Sequence, residues 1–197
     1  MNSRDYDAIA RSVRGALACP DDAGNTAKTG FLGSSGALPV SGGAVAPDER
    51  ALRIVADALW EGLHDKGVSW VGFYLFHPGE PEDRAMTLGP SRDTPACSPI
   101  GLHGVCGQAF TGARTMIVRD VRDLGEAYVA CDPRDASEIV IPCYYSPDGP
   151  DVGTHEPVCW GVLDLDSHET GAFDESDEAG LAMVLSAAGI GVRIASV

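Results

Sequence analysis

Positive charge is scarce in this chain. Lys and Arg number 14 against 29 Asp and Glu, a formal net charge of −15 over 197 residues. That deficit argues against nucleic acid as a partner, because phosphate binding is dominated by Lys and Arg. It argues equally against docking on an anionic membrane surface. Long apolar runs are missing too: no stretch approaches the roughly 18 residues that a membrane span needs. The start, Met1-Asn2-Ser3-Arg4-Asp5, has no basic flank followed by an apolar block, so a cytoplasmic location is expected, where thiols stay reduced. No C-x-x-C pair occurs, and His103 is the only histidine near the loop cysteines, which counts against a zinc site. No internal repeat is visible.

What is present is enough for one domain, with 44% hydrophobic residues to build a core. Residues 3–17 read as a helix, with Tyr6, Ile9, Val13 and Leu17 spaced by three and four. Residues 20–46 change composition to Gly, Ser and Ala and read as a flexible linker. Residues 48–66 form a second amphipathic helix on Leu52, Val55, Leu59 and Leu63, with Gly67 as its stop. Strand character follows over 68–76, 86–88, 115–118, 137–145 and 158–166, with a loop over 89–107 and a helical turn over 108–112. The last two strands are expected to form a hairpin with a long tip. A final helix starts after Phe173, capped by Asp174 or Ser176, with a stripe of Leu181, Val184, Leu185, Ala188 and Val192. Consecutive, hairpin-linked strands between helices predict an antiparallel α+β domain. The divisions are an N-terminal helix over 1–19, the linker over 20–46 and the main domain over 47–197.

Three features point to chemistry. Alternate strand residues share a face, so Trp70, Gly72 and Tyr74 form an aromatic-walled notch open to something apolar. Ordinary aromatic packing around a strand glycine is the alternative, and on the strand alone it carries more weight. Asp164 and Asp166 also share a face, where two carboxylates repel unless a cation, a proton or donor groups intervene. A solvated strand end is an equal alternative there. An EF-hand loop is excluded because Glu169 stands where glycine is required. Glu138 joins them if the strands 137–145 and 158–166 pair. The resulting acidic cluster would grip an ammonium group or hold a proton for a substrate oxygen. Finally, Cys97, Cys106 and Cys131 lie in loops of small residues. Any one of them is by default a buried small hydrophobe. Cys143 and Cys159 lie inside strands and fit that default, and Cys19 sits at a helix end with no role assigned. In a reducing compartment, any pairing among these cysteines is expected to be transient and catalytic rather than structural.

Taken in order, Trp70-Val71-Gly72-Phe73-Tyr74-Leu75, Leu88-Gly89-Pro90, Pro95-Ala96-Cys97, Gly104-Val105-Cys106-Gly107, Ala130-Cys131-Asp132, Ser137-Glu138-Ile139-Val140 and Gly161-Val162-Leu163-Asp164-Leu165-Asp166-Ser167 resemble the free methionine-(R)-sulfoxide reductases. These are GAF-domain enzymes, and the resemblance spans about residues 48–195. It implies a GAF-like sheet of about six antiparallel strands with helices packed on it and the terminal helices together. It also implies a homodimer, a small enclosed pocket, and a redox-active disulfide recycled by thioredoxin or a similar thiol donor, with no cofactor and no metal. By position, Cys131 matches the nucleophile, Cys97 its resolving partner and Cys106 a second thiol used in recycling, the order of Cys106 and Cys131 being exchangeable. Trp70 and Tyr74 would box the S-methyl end. Glu138, Asp164 and Asp166 would hold the ammonium and polarise the sulfoxide oxygen, in an unassigned order. Backbone N–H groups near Ala130-Cys131 would meet the α-carboxylate.

The sequence departs from that family in three places. The loop between Cys97 and Cys106 is about one residue short, with Leu102-His103 where a Gly-Arg pair is usual. The segment 123–128 lacks the His that often precedes the Ala-Cys-Asp motif. The linker 20–46 and the loop 146–157 exceed the family's needs. No cysteine or carboxylate is lost, so an active oxidoreductase is expected. The competing readings are a non-catalytic GAF sensor of a small molecule and a thiol redox or zinc-binding protein.

Overall fold

A computed structural model describes residues 4–19, 49–93, 95–128, 131–145 and 157–193. The expected linker over 20–46 and all but the end of the loop over 146–157 lie outside the described residues. Helix α1 (Tyr6–Ala18) is capped by the Asp5 carboxylate, which accepts from the Ala8 N–H at 2.9 Å. Helix α2 (Glu49–Leu63) buries Leu52, Val55, Leu59 and Leu63 completely. Burying one such side chain is worth about 1.5–3 kcal/mol, so this stripe decides where the helix docks. A 3₁₀ turn, His64–Lys66, ends at Gly67, whose φ of 93° lies in the left-handed region that favours glycine.

The sheet contains β1 (Trp70–Phe76), β2 (Met86–Arg92), β3 (Met116–Val118), β4 (Ser137–Tyr145) and β5 (Val158–Ser167). Their order is β2-β1-β5-β4-β3, with every pair antiparallel. The described residues thus hold five strands where about six were expected. Two local expectations also change. β2 runs on through Gly89 to Arg92 because it ladders along β1 as far as Val71. Helix α3 (Val105–Gly112) begins inside the segment read as loop, since Gly104 takes an extended conformation and serves as its cap. That places Cys106 in the first turn of a helix.

Strand alternation divides the interior in two. Val71, Phe73, Ile139, Ile141, Leu163 and Leu165 face one core shared with α1, α2 and helix α4 (Glu175–Ala187). Trp70, Tyr74, Val140 and Val162 face the other, beneath α3 and the segments around it. The site lies on this second face. The terminal helices are joined as expected. Asp174 caps α4 in a reciprocal capping box with Asp177. Buried Asp177 in turn accepts from the Tyr6 hydroxyl at 2.7 Å and pairs with Arg4 at 2.9 Å. Gly180 leaves room for the Tyr6 ring: a Cβ there would lie 2.7 Å from Cε2. Ala188 and Val192 fall beyond the helix end but still pack against the core. No helix among the described residues is long and apolar enough to cross a membrane.

Candidate active site

The β4–β5 register sets Glu138 opposite Asp166 and Val140 opposite Asp164. All three carboxylates therefore rise from one face. Their oxygens lie within 4.8 Å of one another. Glu138 and Asp164 are each only 6% exposed, and Glu138 Oε1 and Asp164 Oδ1 have no hydrogen-bond partner among the described residues. Such a cluster does not carry three negative charges easily. Burial, followed by the charge of Asp164, raises the Glu138 and Asp166 carboxyls well above the ordinary carboxylate range. Burial pushes Asp164 up to about 7. At neutral pH the cluster is a store of protons awaiting a cation or a basic oxygen.

Above it lies Cys106, held by the first turn of α3. Its thiol is buried and donates to Asp164 Oδ2 at 3.1 Å. Burial, then the charges of Asp164 and Glu138, raise its pKa, so it stays a thiol. Cys97 and Cys131, 34 positions apart in sequence, are joined by a disulfide with Cα atoms 5.4 Å apart. Tyr74 reaches across from β1 and donates its hydroxyl to the Cys97 carbonyl at 3.0 Å. Burial, then Asp164, raise the Tyr74 pKa, keeping the phenol a donor.

A cavity of about 270 Å³ lies among these groups. Its lining includes all eight residues expected from the sequence: Trp70, Tyr74, Cys97, Cys106, Cys131, Glu138, Asp164 and Asp166. One detail of the aromatic reading is corrected. The notch over Gly72 is no ligand space, because the Trp70 indole lies over it, and a Cβ on Gly72 would lie 2.7 Å from Trp70 Cζ2. The two rings stand 6.0 Å apart at 32° and wall the cavity from one side.

Several lining residues were not anticipated. Tyr128 enters beside the acids, and burial followed by Asp135 raises its pKa. Asp135 lines the cavity next to the Cys131 turn, and burial, then Asp132, raise its carboxyl. Gly104 and Val105 bring the N-terminal turn of α3, which no side chain caps, to the wall. The acid-rich stretch Asp132-Pro133-Arg134-Asp135 was the one available signal for Asp135, and nothing marked Tyr128. Asp132 itself forms a fork with Arg134, Oδ2 to Nη2 at 2.6 Å and Oδ1 to Nε at 3.0 Å, which holds its carboxyl well below the ordinary range. Asp132, Asp135 and His168 also lie within 4.8 Å of one another, but Arg134 already neutralises Asp132, so this group reads as an ion-pair network.

No family model matches the chain. It is 35% identical over 130 residues to the free methionine-R-sulfoxide reductase of Escherichia coli (strain K12), covering 65% of this chain and 67% of that one. The chain belongs to the free methionine-R-sulfoxide reductase family. A second relative of this family member, protein YtsP of Bacillus subtilis (strain 168), is 39% identical over 113 residues, a stretch spanning 60% of its length. The reductase of Neisseria meningitidis, solved in complex with its substrate, superposes with a TM-score of 0.65 at 26% identity, covering 96% of this chain and 91% of that one. The substrate complex of the Staphylococcus aureus reductase gives the same TM-score, 0.65, at 26% identity and 95% coverage of both chains. The fold is that of a GAF domain.

Proposed function

We propose that this protein reduces free L-methionine-(R)-S-oxide to methionine through a cysteine sulfenic acid and an intramolecular disulfide. One observation carries the reading: three cysteines and three clustered carboxylates line a single small cavity. The Cys131 thiolate attacks the sulfoxide sulfur. A carboxyl of the Glu138–Asp164–Asp166 cluster gives a proton to the oxygen. Methionine leaves, and Cys131 keeps the oxygen as a sulfenic acid. The Cys97 thiol then attacks the Cys131 sulfur, forming the disulfide and releasing water. A thioredoxin-type dithiol restores both thiols by exchange and is itself oxidised.

Cys131 is preferred to Cys106 as the attacking group on electrostatic grounds. Cys106 is buried among carboxylates and donates its proton to one of them, whereas Cys131 pairs with Cys97 as the chemistry requires. The remaining carboxylates would bind the substrate ammonium. The N–H groups of the first turn of α3 suit its α-carboxylate, because helix N-termini favour anions. The donors expected near Ala130-Cys131 fall partly outside the described residues. A cavity of about 270 Å³ is sized for a free amino acid rather than a peptide-bound one.

The test supplies reduced protein with free methionine-(R)-sulfoxide and a dithiol donor, and measures methionine. Turnover lost on Cys131→Ser supports the reading. Absence of turnover in the reduced wild type would return the protein to a ligand-binding GAF domain.

A further inference from the structure

The proposed chemistry spends one proton of a buried carboxyl cluster at each attack. Methionine sulfoxide, the Cys131 thiolate and one proton give methionine and the Cys131 sulfenic acid. The carboxyl that gave the proton is left charged among other acids and must be reloaded from water. A route for that proton is built into the far side of the Cys131 turn.

Asp135 is the carboxyl through which the cavity meets this turn. It lines the cavity, and its charge is felt by Glu138, Asp164 and Asp166. On its other side, Asp135 Oδ1 lies 3.7 Å from Nε2 of His168, a side chain 39% exposed. The same Nε2 lies 3.5 Å from Asp132 Oδ2. The backbone brings the two residues together. The Ala136 N–H donates to the Ser167 carbonyl at 2.8 Å, and the Asp135 N–H donates to the Asp132 carbonyl at 3.1 Å. Ser69, just before β1, donates its hydroxyl to Asp135 Oδ1 at 3.4 Å. The division of labour between the acids follows from their partners. Asp132 is pinned as an anion by Arg134. Among the described residues Asp135 has no guanidinium on its oxygens, and burial raises its carboxyl, so it is able to take the proton up.

We propose that His168 and Asp135 form a proton relay between bulk water and the carboxyl cluster of the cavity, with Asp132 as the fixed anion beside the imidazole. The proposal rests on the reductase reading of the same cavity. His168 touches neither substrate nor reacting atoms; it is a positioning residue for protons. The titratable and charged groups that interact with the pair are Asp132 and Arg134 from the Cys131 turn, Tyr128 just before that turn, Glu138 from β4, and Asp164 and Asp166 from β5. Asp93 acts on Arg134 from the segment after β2.

The experiment supplies the full-length protein with saturating free methionine-(R)-sulfoxide and excess dithiol donor in dilute buffer and follows methionine formation over successive turnovers, against pH, because the first draws on protons already stored. His168→Ala is expected to slow that turnover about tenfold, a modest share of an acid–base contribution, with substrate affinity unchanged. Added imidazole restores the rate of His168→Ala. It restores neither Asp135→Asn, which breaks the inner link, nor His168→Gln, which refills the site without a titrating group. A His168→Ala protein as fast as wild type overturns the relay, as does a loss that imidazole leaves in place or that sodium chloride repairs equally. In those cases wild-type turnover persists and the reductase reading stands. If reduced wild type makes no methionine, both readings fall together.

Discussion

The substitution Asp164→Asn separates the electrostatic account of the site from a merely steric one. Burial moves the Asp164 carboxyl from 3.8 to about 7. At about 1.4 kcal/mol per tenfold change in proton affinity, its full ionisation costs the fold on the order of 4 kcal/mol. The sign follows from the direction. A carboxyl raised by folding costs nothing below its unfolded value of 3.8; the cost grows as pH rises and is complete above about 7. On the order of 2 kcal/mol of it develops between pH 5.5 and 8.5, a window clear of the isoelectric point near 4.5. The amide cannot ionise, and it also removes the charge that raises Glu138 and Asp166. Urea unfolding of the reduced proteins at the two pH values reads the difference directly. The stability of Asp164→Asn relative to wild type should rise by about 2 kcal/mol or more from the lower to the higher pH, while its turnover falls by about 10²-fold or more through loss of an acid. A stability difference that stays flat, or falls with pH, would refute the argument that this cluster is a strained proton store.

The cysteines should divide by role. Cys131→Ser abolishes methionine formation, Cys97→Ser leaves a sulfenic acid that dimedone traps, and Cys106→Ser still forms the Cys97–Cys131 disulfide in a single turnover read by thiol titration. Gly72→Ala drives a methyl group into the Trp70 indole; it should raise KM for the sulfoxide and lower stability by about 1–3 kcal/mol, as overpacking does. Tyr6→Phe removes the hydroxyl that donates to buried Asp177; thermal unfolding should show a loss of about 1–3 kcal/mol with catalytic constants unchanged.

Much of the site was readable because strands obey a simple period. Once residues 137–145 and 158–166 were seen as neighbours, Glu138, Asp164 and Asp166 had to share a face, and their register in the sheet follows. The helical stripe of α2 was legible for the same reason: apolar side chains at spacings of three and four have one place to go. The chemistry of the loops had no such rule. Tyr128 and Asp135 lie in irregular backbone, where no periodicity says which way a side chain points. The start of α3 was hidden because Gly104 caps it without a side chain. The Gly72 notch was visible as a gap, but its occupant, Trp70 two residues away, required a rotamer that only packing selects.

Sequence alone determined the antiparallel α+β domain, the shortage of positive charge and the residue types that sulfur redox chemistry needs. Tertiary structure alone decided which groups meet. Cys106 reaches Asp164 across 58 positions, Tyr74 reaches the Cys97 carbonyl across 23, and Cys97 meets Cys131 across 34. Local propensity acts over one turn or one strand, whereas a cavity closes only where distant segments bury their faces against the same sheet. The proton affinities of its acids are set by that burial.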